Sequence, residues 1–87
     1  MVFEYDKEKS QSNKLKHGVD FEEIQELWRD ERYVQVPSRY VEESRFLVIG
    51  KFDGKTWSCI VTYRNDVVRI ISARRSRPDE EELYGRE

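Results

Sequence analysis

Hydrophobic and polar residues alternate with a period of two along much of the C-terminal half of the chain. The alternating segments are rich in β-branched and aromatic residues and cover residues 45–52, 55–64 and 67–73. Short polar pairs, Asp53-Gly54 and Asn65-Asp66, separate them, as is typical of two-residue hairpin turns. We therefore predict three consecutive antiparallel strands. Residues 33–36 form a fourth strand, which Pro37 places at an edge of the sheet.

The N-terminal half has the spacing of helices. Asp6 is a suitable N-cap and Gly18 a suitable C-terminal stop for a helix over residues 7–16. Asp20 and Glu23 have the spacing of a capping box, which opens a second helix. Its apolar side chains recur at helical spacing and are Phe21, Ile24, Leu27 and Trp28. This stripe predicts an amphipathic helix that packs on the core.

Two short elements complete the prediction, a strand at residues 3–5 and an acidic helix at residues 79–84. The order β-α-α-β-β-β-β-α indicates an α+β fold, with two N-terminal helices and a short C-terminal helix packed on an antiparallel sheet. A chain of 87 residues has room for one small domain, so residues 1–87 are predicted to form a single domain.

Two-residue turns also predict which side chains share a face of the sheet. Phe52 should lie opposite Lys55, and Arg64 opposite Val67. The predicted core face carries Phe46, Val48, Trp57, Cys59, Val61, Tyr63, Val68 and Ile70. The opposite face carries Arg45, Leu47, Ile49, Ser58, Ile60, Thr62, Arg64, Arg69, Ile71 and Arg74. We call it the Arg-bearing face. In this register Thr62 lies between Arg45 and Arg69, so two guanidinium groups flank a hydroxyl group.

The charge distribution indicates which kind of ligand the Arg-bearing face binds. A net charge of −2 conceals basic segments at residues 7–17 and 64–77 and acidic segments at 20–32 and 78–87. Arginine binds phosphate in a bidentate manner, so five arginines within residues 64–77 indicate a polyanionic partner. The alternative is that Glu42, Glu43 or the acidic tail folds over these arginines and pairs with them.

Four aliphatic side chains lie beside the arginines on the same face. This apolar strip consists of Leu47, Ile49, Ile60 and Ile71. A contiguous apolar surface of this kind seldom faces bulk water. The strip is therefore either covered by the last helix or available as a protein-binding surface.

Several classes of protein are disfavoured by the residue inventory. The single cysteine, Cys59, rules out an internal disulfide, and one cysteine with one histidine nearly excludes a closed metal site. Cys59 itself is predicted to be a buried hydrophobic residue. No glycine-rich phosphate loop is present, which argues against an anion-binding metabolic domain, and no cofactor is expected. The longest wholly apolar run, residues 46–49, cannot span a bilayer, and a cytoplasmic protein is expected.

The order and spacing of several motifs resemble BrnT-type toxins over nearly the whole chain. The motifs are Phe3-Glu4-Tyr5-Asp6, Lys14-Leu15-Lys16-His17-Gly18-Val19, Phe21-Glu22-Glu23, Glu43-Ser44-Arg45-Phe46, Val61-Thr62-Tyr63-Arg64 and Arg69-Ile70-Ile71-Ser72-Ala73-Arg74-Arg75. The resemblance implies a RelE-like fold and an endoribonuclease activity that inhibits translation. It also implies a BrnA-type antitoxin, and binding of promoter DNA only through the toxin–antitoxin complex.

Metal-independent RNA cleavage requires a base, an acid and positive charge at the phosphate. Arg64, Arg69 and Arg74 are the predicted source of that charge. His17 has the unperturbed pKa that suits proton transfer, although a lone histidine is as often structural, and Tyr84 is the more available phenol. Predicted RNA contacts are Lys14, Lys16, Arg45, Thr62 and Arg75, and predicted antitoxin contacts are the apolar strip. The alternative function is a non-catalytic nucleic-acid- or protein-binding module that uses the same face.

Overall fold

The computed structural model describes residues 1–38 and 44–86 and contains a five-stranded sheet in the order β1-β5-β4-β3-β2. The strands are β1 (Val2–Glu4), β2 (Val34–Pro37), β3 (Arg45–Phe52), β4 (Lys55–Arg64) and β5 (Val67–Arg75). The helices in the described ranges are α1 (Lys7–His17), a 3₁₀ helix (Glu23–Arg29) and α2 (Pro78–Gly85). The predicted α+β class and order of elements are confirmed.

The prediction of an antiparallel sheet is wrong at one edge. Strand β1 pairs with β5 in parallel, with Phe3 beside Val68, so the sheet is mixed. Alternating side chains predict that a segment is a strand, but they do not say which edge it joins or in which direction. The other edge is β2, as Pro37 predicts, because its missing N–H cannot serve a central strand.

The two hairpins have the predicted register. Phe52 pairs with Lys55 and Arg64 pairs with Val67. In the first turn Asp53 and Gly54 both have positive φ, 53° and 75°, which matches the right-handed twist of the flanking strands. A bulge interrupts the β4–β5 ladder between Ile60 and Val61. Val61 pairs with Ile70, but Ile60 pairs with Ser72, one residue later in β5 than a regular hairpin would give.

The predicted second helix is present as a 3₁₀ helix, and the expectation of an α-helix is corrected. The capping box forms, since Asp20 accepts from the Glu23 N–H at 2.7 Å and Glu23 accepts from the Asp20 N–H at 2.9 Å. A 3₁₀ helix has three residues per turn, so side chains three apart lie in one row. Ile24 and Leu27 are spaced in this way, and both are fully buried.

The core lies on the predicted face of the sheet. Its buried members include Val48, Cys59 and Val61 from the strands and Phe21 from the segment before the 3₁₀ helix. Burial raises the pKa of the Cys59 thiol far above its usual value, which agrees with a structural role. No helix within residues 1–38 and 44–86 has the length and apolarity that a bilayer crossing requires.

Helix α1 closes the free edge of β5 beyond the short strand β1. The Asn13 side chain donates to the Ala73 carbonyl at 2.9 Å and accepts from the Ala73 N–H at 3.2 Å, as a neighbouring strand would. The Ser10 hydroxyl accepts from the Phe21 N–H at 2.9 Å. Asp6 caps the helix by accepting from two backbone N–H groups, and Gly18 ends it with φ of 85°. These contacts place one long side of α1 beside the Arg-bearing face.

Candidate nucleic-acid interface

A cleft of about 130 Å³ opens on the Arg-bearing face where the sheet meets the first turns of α1. We call it the Arg cleft. Its lining residues are Asp6, Lys9, Arg45, Thr62, Arg64, Arg69, Ile70 and Ile71. The predicted RNA contacts Arg45 and Thr62 and the predicted catalytic residues Arg64 and Arg69 therefore come together in one concave site.

The strand register assembles this cleft. Arg45 on β3 pairs with Thr62 on β4, and Thr62 pairs with Arg69 on β5, as the two-residue hairpin turns predict. Adjacent strands are about 4.8 Å apart, so the two guanidinium-bearing residues lie on either side of a short hydroxyl residue. Arg64 follows Thr62 by two positions and projects from the same face. Lys9 approaches from α1.

The cleft holds more positive than negative charge. Among the described residues Arg64 and Lys9 make no ion pair, and the buried Arg45 Nε has no hydrogen-bond partner. Arg69 Nη1 lies 3.2 Å from Glu4 Oε2 in a half-exposed ion pair. Four cationic side chains thus face the carboxylates of Asp6 and Glu4, which favours an anionic ligand. The predicted alternative, pairing by Glu42 or Glu43, lies outside the described residues.

Thr62 separates the guanidinium groups and fixes the chain before β3. The Thr62 side chain is 8% exposed, and its hydroxyl donates to the Ser44 carbonyl at 3.0 Å. Its one hydrogen is therefore already used in the protein. The donors that remain for an anion in the cleft belong to the arginines and Lys9.

Arg74, one of the predicted phosphate-binding residues, does not line the Arg cleft. It pairs with Ser58, four residues from Thr62 on β4, a distance of about 13 Å along the strand. Its guanidinium group forms a bidentate ion pair with Glu80 of α2 at 2.7 and 2.9 Å. The acidic last helix therefore neutralises one of the predicted phosphate-binding arginines.

The Glu80 carboxylate is stabilised in its charged form. Burial opposes ionisation, but hydrogen bonds from the Arg74 guanidinium, the Arg77 N–H and the Ser58 hydroxyl outweigh it and lower the pKa of Glu80 to about 2. Glu80 is 6% exposed. The Arg74–Glu80 pair is thus a fixed attachment of α2 to the sheet at neutral pH.

Tyr84, the predicted catalytic phenol, also lies outside the Arg cleft. Its hydroxyl donates to Asp30 Oδ2 at 2.6 Å, and this hydrogen bond raises the pKa of Tyr84. Asp30 follows the 3₁₀ helix and also accepts from the Lys51 N–H at 2.8 Å. Tyr84 therefore connects α2 to the 3₁₀ helix and β3.

The remaining predicted RNA-contacting and proton-transferring residues lie apart from the cleft. His17 is exposed at the last position of α1, about 12 Å along the axis from Lys9. Lys14 pairs with Glu23 at 2.8 Å on the side of α1 next to the 3₁₀ helix. Arg75 lies 5.6 Å from the Trp57 ring, on the core face. Lys16 is exposed on α1.

The apolar strip is divided by the fold. Ile49 is fully buried on β3, where α2 contacts that strand, and Ile71 lines the Arg cleft. Leu47 and Ile60 remain half-buried in a groove of about 310 Å³ between β2 and α2. We call it the β2–α2 groove. Its other lining residues are Val36, Pro37, Ser38, Arg74, Arg77, Asp79, Glu80 and Leu83. One residue of the strip is therefore fully buried, while Leu47 and Ile60 line the groove beside α2.

Sequence reasoning missed the two charged residues that α1 and its N-cap bring to the cleft, Asp6 and Lys9. Asp6 is recognisable from the sequence as an N-cap, and Lys9 is part of a basic segment. Neither property shows that the start of α1 faces the arginines, because that depends on the parallel pairing of β1 with β5. The described residues contain no group of three or more His, Cys, Asp or Glu side chains placed to hold a metal ion.

The structure is a small α+β fold with a cleft rich in cationic side chains on one sheet face. A family model described as the ribonuclease toxin, BrnT, of type II toxin–antitoxin systems matches residues 5–80, and the chain belongs to this family. The resemblance predicted from the sequence motifs is thereby confirmed. A search of curated proteins found no match to the chain. Membership of a type II system implies a protein antitoxin as partner.

Proposed function

We propose that the chain is an endoribonuclease that binds the scissile phosphate of RNA in the Arg cleft. The observation that carries this proposal is the convergence of Arg45, Arg64 and Arg69 around Thr62 in one concave site. Guanidinium groups donate to phosphate oxygens in a bidentate manner and remain charged throughout the reaction. The family match supports the reaction class, ribonuclease. The arginines of the cleft support phosphate binding at this site.

The arginines act on the phosphorus centre. When the ribose 2′-oxygen attacks, a bond to phosphorus forms, the bond to the 5′-oxygen breaks, and negative charge builds up on the phosphoryl oxygens. Positive groups positioned for that charge lower the barrier. The 2′-hydroxyl proton must pass to a base, and the departing 5′-oxygen must receive a proton. The predicted proton carrier, His17, lies about 12 Å along α1 from Lys9, so it can act on a phosphate bound near the end of α1 and not on one held in the Arg cleft.

The finer features of the activity are also part of this proposal. The fold is expected to be RelE-like, and cleavage is expected to need no metal ion because the arginines provide the positive charge. Cleavage of RNA is expected to inhibit translation in the cytoplasm. A BrnA-type antitoxin is expected to neutralise the toxin and, in complex with it, to bind and regulate their promoter.

A cleavage assay on the purified chain tests the proposal. We expect single-stranded RNA to be cut in excess EDTA, giving 2′,3′-cyclic phosphate and 5′-hydroxyl ends, the products of attack by the 2′-oxygen. Loss of cleavage in EDTA with rescue by a divalent cation would contradict metal independence. RNA that binds in the cleft but is never cut would indicate the alternative, a non-catalytic binding module.

A further inference from the structure

The side of α1 that carries Lys9 and Lys16 continues the Arg cleft along the edge of the sheet. We propose that these two lysines form a track that binds phosphates of the RNA strand flanking the cleavage site. The inference rests on the proposed function, since it gives the bound RNA a course beyond the scissile phosphate. Neither lysine is required for the chemistry in this proposal.

Helical geometry places the two lysines on one line. Seven residues separate Lys9 from Lys16, which is about two turns, so the two side chains point in directions within about 20° of each other. The rise over seven residues is about 10 Å. Lys9 lines the Arg cleft. Lys16 therefore lies on the same side of the helix, about 10 Å farther from the arginines.

The contacts of α1 fix which side of the helix this is. Asn13 faces β5 and Ser10 faces the backbone of Phe21, so the helix cannot rotate freely about its axis. Lys14 points toward the 3₁₀ helix, where it pairs with Glu23. Lys9 points to the Arg-bearing face. The lysines of α1 are thus divided between two sides, and only one of the two sides joins the cleft.

The charges on the track have no internal partner. Lys9 and Lys16 are exposed and make no ion pair among residues 1–38 and 44–86. Phosphates of a stacked strand are about 3.4 Å apart along its axis, so 10 Å corresponds to about three nucleotides. Cationic grooves that follow the backbone in this way are typical of sequence-tolerant single-strand binding.

Salt-dependent binding measures the contribution of the track. The probes are non-cleavable 2′-O-methyl RNAs of about 4 and about 12 nucleotides, lengths that span the cleft alone or the cleft and track. We expect Lys16→Gln to lower the affinity for the long RNA several-fold and to leave the affinity for the short RNA unchanged. The plot of log K against log salt for the long RNA should become shallower by about 0.7, the loss of one phosphate contact. Lys55→Gln, at the far end of β4, is the matched control.

Site-directed crosslinking locates the RNA on the helix. The chain has one cysteine, Cys59, which is fully buried, so an introduced cysteine can be labelled selectively. We expect Lys16→Cys, carrying a thiol-linked photo-crosslinker, to capture the long RNA. Gln11→Cys is the control, because Gln11 is exposed about 140° around the axis from Lys16. Equal crosslinking from both positions would overturn the track.

The Arg64→Ala variant separates failure of the track from failure of the proposed function. If Arg64→Ala weakens the binding of both RNAs while Lys16→Gln weakens the binding of neither, the track is wrong and the cleft remains the proposed RNA site. If Arg64→Ala binds both RNAs like the wild type, the cleft is not the RNA site and the proposed function fails. If Lys16→Gln affects only antitoxin binding, the track serves the protein partner and the inference is overturned.

Discussion

Arg45, Arg64 and Arg69 are held in the cleft by three different environments. Arg45 has a buried Nε without a hydrogen-bond partner, and Arg69 pairs with Glu4. Arg64 is exposed at the end of β4, next to Asn65, whose φ is 58°. A buried donor with no partner gains the most free energy from binding an anion. An exposed guanidinium group gains less, because it gives up hydrogen bonds to water when it binds phosphate. Arg64 contributes least to folding, so its removal gives the clearest test of function.

We predict that Arg64→Ala lowers the rate of RNA cleavage by about 10²–10³-fold, the usual effect of removing one donor to a transition-state anion. The melting temperature should barely change, because substitutions at exposed sites without structural contacts usually alter stability by less than about 0.5 kcal/mol. Arg29→Ala is the control, since Arg29 has an 82% exposed side chain whose ion pair among the described residues is with Glu26, one helical turn away. A folded Arg64→Ala protein with full activity would remove Arg64 from the mechanism.

His17 provides a separate test of proton transfer. If it carries a proton in the reaction, His17→Ala should lower the cleavage rate by about 10²-fold or more and alter the pH–rate profile near neutrality. The exposed position of His17 beyond the Arg cleft makes a folding defect unexpected. A variant with an unchanged profile would show that another group moves the proton and that His17 only ends the helix.

At the scale of elements, polar contacts hold both ends of α2, one to the sheet and one to the residue after the 3₁₀ helix. The Arg74–Glu80 pair holds the start of the helix, and the hydrogen bond from Tyr84 to Asp30 holds its end. Pro78 at the first helical position and the Glu80 capping interaction start the helix at the right place. We therefore expect an Arg74→Ala variant to lose the attachment at the start of α2.

We predict that Glu80→Gln destabilises the folded chain by about 1–3 kcal/mol, because it removes the negative charge from the buried ion pair with Arg74. The pKa of Glu80 is lowered from 4.5 to about 2, so its ionisation stabilises the fold above pH 4.5. That stabilisation is lost as the pH falls from 4.5 toward 2.

Urea titrations of the wild type and Glu80→Gln across this pH range measure both effects. The variant should lack the part of the acid dependence that Glu80 causes. Glu81→Gln is the control, since Glu81 is exposed on the same helix turn. Parallel stability curves for the wild type and Glu80→Gln would contradict the assignment of the ion pair.

The elements that could be predicted are those that depend on local sequence. The turns at Asp53-Gly54 and Asn65-Asp66 set the register of β3, β4 and β5, and with it the meeting of Arg45, Thr62 and Arg69. The bulge beside Ile60 could not be predicted, because no glycine or proline marks it. The pairing of β1 with β5 and the docking of α2 depend on contacts distant in sequence. The position of Arg74 beside α2 and the position of Lys9 in the Arg cleft both depend on these contacts.

At the scale of the whole molecule, the Arg cleft and the β2–α2 groove lie side by side on one face. Thr62 in the cleft and Ile60 at the groove are two residues apart on β4, about 7 Å along the strand. Helix α2 bounds the groove but does not line the cleft. A chain that fills the groove and extends along the sheet therefore reaches the arginines.

This arrangement gives the expected antitoxin a direct means of inhibition. The groove offers apolar side chains from both walls, Leu47 and Ile60 on the sheet and Leu83 on the helix. Strand β2 is an edge of the sheet in the described residues and borders the same groove, and an edge strand suits the addition of another strand. Acidic groups of the antitoxin would then pair with the exposed arginines. Inhibition should compete with RNA and should weaken as salt increases.

We predict that Ile60→Asp weakens antitoxin binding by at least about 2 kcal/mol, the scale of an interface hot spot, because it places a charge in the apolar groove. Ile60 is half-buried, so circular dichroism must first show that the variant is folded. Leu15→Asp is the control, since Leu15 is 89% exposed on α1 at the other end of the sheet order. Calorimetric titration with the antitoxin measures both affinities. A folded Ile60→Asp protein with unchanged affinity would place the interface elsewhere on the molecule.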